Sequence, residues 1–121
     1  MKTILIVDDD QLVLEGTQTY LETKGFTTLG AKDGVEALQT IKDNHVDLAV
    51  IDIFMPNKGG FETISSLKND LPIIAMSGVS AHRFEPLEFA ESLGAQASLT
   101  KPFYPHDLLS AIRDLLEVES V

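Results

Sequence analysis

Cysteine is absent from this 121-residue chain, so neither a disulfide framework nor a thiolate metal site can be built from it. That absence is compatible with a reducing compartment, and a cytoplasmic location is the expectation. Basic residues are scarce: 9 Lys and Arg stand against 19 Asp and Glu, a formal net charge of −10, and they cluster nowhere. Such a chain repels a nucleic-acid backbone, so no direct nucleic-acid binding is expected. Long apolar runs are missing too. None approaches the ~20 residues that span a bilayer, and the opening MKTILIVDDD is too short in its apolar part to read as a signal peptide. No membrane role is expected. Linkers, internal repeats and low-complexity segments are also lacking, so residues 1–121 read as a single domain.

What is present is an alternation of strand and helix patterns. Thr3–Val7 (TILIV) is a continuous β-branched and apolar run that stops at acids, as expected for a strand buried on both faces. Residues 11–24 carry a mostly helical period through Leu12, Leu14, Thr17, Tyr20 and Leu21, and Gly25 reads as a left-handed helix terminus. Phe26–Gly30 is a weaker strand, 31–34 a turn, and Val35, Leu38 and Ile41 form a helical stripe. Leu48–Ile51 is a second strong buried strand, ending at Asp52. Residues 53–60 (IFMPNKGG) read as a loop. Phe61, Ile64 and Leu67 predict a third helix, and Pro72–Met76 a strand ending at Ser77 and Gly78. A fourth helix is expected over 85–93, with Leu87, Ala90 and Leu93 inward and Gly94 closing it. Ala95–Leu99 is the poorest strand, and Leu108, Leu109, Ile112, Leu115 and Leu116 mark the clearest amphipathic helix. The fold class is therefore α/β, a (βα)5 doubly wound parallel sheet with helices on both faces.

Open parallel sheets bind ligands beyond the carboxyl ends of their strands, where strand order reverses. At those ends lie Asp8, Asp9 and Asp10, then Asp52, then Ser77, then Thr100 and Lys101. Each alone has an ordinary explanation: an aspartate at a strand-to-helix turn commonly caps the helix, and Asp52 alone could be a turn residue. Their convergence on one rim is more informative. Packed carboxylates repel one another unless a cation intervenes, and Mg²⁺, which takes one or two carboxylates plus waters and a phosphate oxygen, is the natural candidate. Asp52 is then placed as a nucleophile that forms an acyl phosphate. Ser77 is placed to donate to a phosphoryl oxygen, and Lys101 to pair with another.

At this point the chain resembles the response-regulator receiver domains over essentially its whole length. The residues that carry the resemblance are Asp8 and Asp9, Asp52 in DIFMPNKGG, Ser77 in AMSG, and Lys101 in LTKPF. The resemblance implies a flavodoxin-like five-stranded sheet of order 2-1-3-4-5, direct Mg²⁺ ligation by Asp9 and Asp52, action of Asp8 mainly through water, and the backbone carbonyl of Phe54 as a further ligand. It implies a cis peptide between Lys101 and Pro102. It also implies a switch that takes its phosphoryl group from a sensor histidine kinase or phosphotransfer protein, acts on an unknown output protein or domain, and turns over no external substrate.

Several positions depart from the family pattern. Ser98 stands where an aromatic residue is usual, and Gly59 where an Asp is frequent. The stretch from Ser77 to Lys101 is slightly long and contains Pro86, so the fourth-helix region is expected to be irregular or displaced. Phe54 and Val79 are apolar at positions that tune phosphate loss in the family, so a long-lived phosphate is expected. His45, His82 and His106 have no motif around them and read as surface or loop residues. Phe84, Phe89 and Phe103 are expected in the core, as are Leu109, Ile112 and Leu116, leaving the other face of the last helix for a homodimer.

Three rival readings remain at this stage. One is an interaction module of the same fold that signals without phosphorylation. Another is an aspartyl-phosphate phosphohydrolase of the haloacid dehalogenase type, for which Asp8-Asp9-Asp10 offers D-x-D but leaves Asp52 idle. The third is a flavin binder, whose phosphate the three acids after the first strand would repel.

Overall fold

The computed structural model describes residues 1–55, 59–78 and 86–116. Val79, His82 and Phe84, and the side chains of Leu87 and Phe89, lie outside the described residues. In chain order the elements are β1 (Thr3–Val7), α1 (Gln11–Thr23), β2 (Thr27–Ala31), α2 (Gly34–Asp43), β3 (Leu48–Asp52), α3 (Gly60–Leu67), β4 (Ile73–Gly78), α4 (Pro86–Leu93), β5 (Ala97–Lys101) and α5 (Pro105–Leu116). The five strands form one sheet of order β2-β1-β3-β4-β5, parallel throughout.

Side-chain alternation along the central strands explains the layers. Leu5, Val7, Ala49, Ile51, Ile73 and Ala75 point to one face and pack with Ala37 of α2, Ile64 and Leu67 of α3 and Ala90 of α4. Ile4, Ile6, Leu48, Val50, Ile74 and Met76 point to the other and pack with α1 and α5 through Leu14, Leu21, Leu108, Leu109 and Ile112. A strand with helices on both faces has no solvent side, so its sequence reads as an unbroken apolar run. β1 and β3 fit this, with Ile4–Val7 and Leu48–Ile51 fully buried.

Where the observed elements differ from the sequence reading, packing accounts for the difference. β5 spans Ala97–Lys101 rather than Ala95–Leu99, because its bounds are set by pairing with β4, Ile74 opposite Ala97 and Gly78 opposite Lys101. The same pairing carries β4 on through Ser77 and Gly78. β2 runs one residue later than expected, and Gly34 opens α2 behind its cap Asp33, whose carboxylate accepts the Glu36 amide at 2.9 Å. Leu12 and Val35, both counted in helical stripes, are exposed, at 83% and 59%. The described part of the fourth-helix region is a regular helix. Gly25 has the expected left-handed backbone, and the Lys101–Pro102 peptide is cis.

Of the residues expected in the core, Leu109 and Ile112 are buried, while Leu116 and Phe103 pack against the α1–α5 layer only partly buried. His45 and His106 are exposed. No helix among the described residues is long and apolar enough to cross a membrane.

Candidate functional site

The sheet order fixes where the polar residues meet. β1 and β3 are neighbours, yet the chain leaves β1 toward β2 on one side and returns to β3 on the other. Their carboxyl ends therefore flank the crevice where strand order reverses. Asp8 follows β1 directly, and Asp52 closes β3. Both are buried, at 1% and 7% exposure, while Asp9 is exposed. Carboxylate oxygens of Asp8, Asp9 and Asp52 lie within 4.8 Å of one another.

Lys101, at the end of β5, reaches across β4 into this cluster. Its Nζ donates to Asp8 Oδ2 at 2.7 Å and to Asp52 Oδ2 at 3.3 Å. The second oxygen of each carboxylate has a backbone donor: the Asp10 amide to Asp8 Oδ1 at 2.9 Å, and the Phe54 amide to Asp52 Oδ1 at 3.2 Å. Burial nevertheless pushes the Asp52 carboxyl above its ordinary value; Lys101 and the Phe54 amide offset only part of this, and the charge of Asp8 adds to it. For Lys101, burial works against the charged form, but its bond to Asp8 and the field of Asp52 prevail and hold the ammonium above its usual value.

The third acid of the run does something else. Asp10 caps α1, its side chain accepting from the Leu12 and Val13 amides at 3.1 and 3.3 Å. The DDD run thus divides into two residues aimed at the cluster and one committed to a helix end. Ser77 lies on β4 between β3 and β5, 2% exposed, and its hydroxyl donates to the Gly78 carbonyl at 3.2 Å. Phe54 is half-exposed and packs edge-on to Phe61, ring centroids 6.1 Å apart.

Two features were not legible as site features in the sequence. Gly60, at the start of α3, packs against the backbone just after β3. A Cβ there would overlap the Ile53 Cα and lie 2.6 Å from the Asp52 carbonyl oxygen. The Gly60 amide donates to the Ile53 carbonyl at 3.1 Å, closing the loop behind Asp52. The doublet Gly59–Gly60 was its only signal. The other feature is an apolar cleft of about 610 Å³ between α1 and the β5–α5 connection, with Lys101 and Pro102 in its wall. It is assembled from segments some 80 positions apart, and no local pattern announces it.

Comparison with known proteins agrees with this architecture. The family model described as response regulator receiver domain matches residues 4–113. The chain is 34% identical over 115 residues to response regulator RR06 of Streptococcus pneumoniae, covering 93% of this chain and 52% of the relative. It spans about half the length of the curated relatives it matches. Among solved structures, a CheY-like response regulator receiver domain protein from Methanospirillum hungatei superposes with a TM-score of 0.88 at 33% identity, covering 97% of this chain and 94% of that one. Response regulator TrrA from Thermotoga maritima, solved in complex with Mg(2+)-BeF, superposes with a TM-score of 0.82 at 30% identity, covering 96% of this chain and 100% of that one. A buried, lysine-bridged pair of aspartates at the strand-order reversal of a 2-1-3-4-5 sheet, together with these matches, places the chain in the response regulator receiver domain family of two-component signalling systems.

Proposed function

We propose that residues 1–121 act as one phosphoryl-accepting receiver domain in which Asp52 takes the phosphoryl group from a phosphohistidine on a sensor histidine kinase or phosphotransfer protein. The observation that carries this reading is the Lys101 bridge, which ties β5 to the ends of both β1 and β3 around Asp52. In the transfer, an Asp52 carboxylate oxygen forms the new P–O bond while the donor's P–N bond breaks, its electron pair remaining on the imidazole. Lys101 exchanges its 3.3 Å contact with Asp52 for a phosphoryl oxygen and keeps the shorter bond to Asp8. Among the described residues the Ser77 hydroxyl has a long bond to the adjacent Gly78 carbonyl, which it can exchange for a second phosphoryl oxygen.

The donor set suits a hard divalent cation. Three carboxylates against one ammonium leave two negative charges in a partly buried site. Asp8, Asp9 and Asp52, with the Phe54 carbonyl, are the groups that would hold Mg²⁺, and the ion would offset charge on the incoming phosphoryl oxygens.

The α1–α5 cleft supports a protein as donor. Leu12, Gly16 and Tyr20 follow one another at helical spacing along its α1 wall, and Leu12 is exposed. A glycine inside a helix costs about 1 kcal/mol relative to alanine, yet a Cβ at Gly16 would meet nothing within 4 Å. Its smallness serves no packing among the described residues and suits the close approach of a partner helix beside Lys101. An output protein or domain, and a cytoplasmic setting, belong to this same reading.

The test is intact-mass analysis after incubation with a small acyl phosphate and Mg²⁺. One phosphoryl adduct is expected on the wild type, and none without Mg²⁺ or in Asp52→Asn. An adduct of equal yield in Asp52→Asn would contradict the proposal.

A further inference from the structure

β5 is an edge strand, paired only with β4. Its Ala97 and Leu99 pack on the α1–α5 layer, so the alternation turns Ser98 to the opposite layer, which contains α4. α4 is short, and it ends in a tight cap: the Gly94 amide donates to the Glu91 carbonyl and the Ala95 amide to the Ala90 carbonyl, both at 3.1 Å, with Gly94 at φ 130°. An acid in the last turn is placed badly for the helix dipole, and no basic residue accompanies it there. The Glu91 carboxylate instead accepts the Ser98 hydroxyl at 2.7 Å, a charge-assisted bond between helix and strand.

Ser98 is three residues before Lys101, about 10 Å along an extended strand. One end of β5 is thus fastened to Asp8 and Asp52, and a point three residues upstream is fastened to α4. We infer that the Glu91–Ser98 hydrogen bond is a tether that makes the position of α4 follow that of β5. Its second consequence rests on the phosphoacceptor reading: when Lys101 shifts toward a group on Asp52, β5 shifts with it and the tether passes the shift to α4.

Amide hydrogen exchange over α4 tests this, comparing wild type with Ser98→Ala, Ser98→Thr and Glu91→Ala, each alone and with Mg²⁺ plus beryllofluoride. Without additives, Ser98→Ala should speed exchange at Ala90–Ala95 a few-fold, and Glu91→Ala by less because it also relieves the helix dipole; in the combined variant, Ser98→Ala added to Glu91→Ala should speed it no further, and Ser98→Thr should restore protection. Unchanged α4 exchange in Ser98→Ala, or fully additive effects in the combined variant, would overturn the tether. With Mg²⁺ and beryllofluoride, wild-type α4 should change its exchange and Ser98→Ala should not, although both respond around Asp52. An equal α4 response in both overturns the coupling. Absence of any response around Asp52 in wild type would count against the phosphoacceptor reading, leaving the additive-free comparison to decide the tether.

Discussion

Lys101 Nζ sits closer to Asp8 than to Asp52, 2.7 Å against 3.3 Å. The lysine is therefore anchored on the residue proposed not to react and only leans on the one proposed to react. Asp8 fixes the ammonium, and Asp52 keeps a looser contact that can be exchanged.

Burial makes the charged form of Asp52 costly to the fold. Its folded-state pKa is raised, chiefly by burial, so its charged form is disfavoured by folding. Stability tied to such a group is complete below the unfolded pKa and declines as pH rises through the folded value. Asp52→Asn should therefore be more stable than wild type at pH 7, by about 1 kcal/mol or roughly 4 °C in Tm. The difference should shrink as pH falls through the raised folded-state value and be largely gone by about pH 4, where position 52 is becoming neutral in folded and unfolded chain alike. Paired thermal melts between pH 3.5 and 8 check the sign.

Lys101→Ala leaves Asp8 buried without its counter-charge, and should cost about 2–3 kcal/mol in urea unfolding, less than a fully buried pair because the lysine is partly exposed. Lys101 is itself held above its ordinary pKa, so its contribution is complete below about pH 10 and fades only above that. Mg²⁺ should recover more stability in Lys101→Ala than it adds to wild type, because there it supplies the only cation. Asp9→Asn combined with Asp52→Asn should abolish the Mg²⁺-dependent rise in Tm.

Two glycines should respond in opposite directions to alanine. Gly60→Ala forces backbone against backbone behind Asp52 and should destabilise by about 2 kcal/mol or more, with slower phosphorylation. Gly16→Ala meets open space and should stabilise the chain by about 0.5–1 kcal/mol. It should leave labelling by a small acyl phosphate unchanged while slowing transfer from a phosphohistidine protein that labels the wild type. Equal transfer rates to wild type and Gly16→Ala would remove the cleft from the account.

The identity of Phe54 bears on phosphate lifetime. Its side chain is half-exposed at the rim and has no polar group with which to orient an attacking water. Phe54→Asn combined with Val79→Glu should shorten the phosphate half-life several-fold, followed by loss of the phosphoryl adduct with time.

The sequence was most readable where burial on two faces left little choice of residue. β1 and β3 show as unbroken apolar runs, and the groups of the candidate cluster lie at strand ends that the topology rule marks. The observed β5 starts two residues later than its pattern suggests because Ala97 and Ser98 carry little strand preference. Its position comes from hydrogen bonding to β4, with the Gln96 side chain and amide completing the start by bonding to Ile73. Leu12 carries a core residue's signal at a surface position, a distinction that periodicity alone cannot make. The bond between Glu91 and Ser98 and the α1–α5 cleft each join segments whose proximity exists only after folding.

The most direct measurement locates the modified residue. After reaction with a small acyl phosphate and Mg²⁺, borohydride reduction of an aspartyl phosphate yields homoserine, which peptide mass spectrometry can place. The account predicts homoserine at position 52 and at no other aspartate. Homoserine at position 8 or 9, with position 52 unmodified, would contradict it.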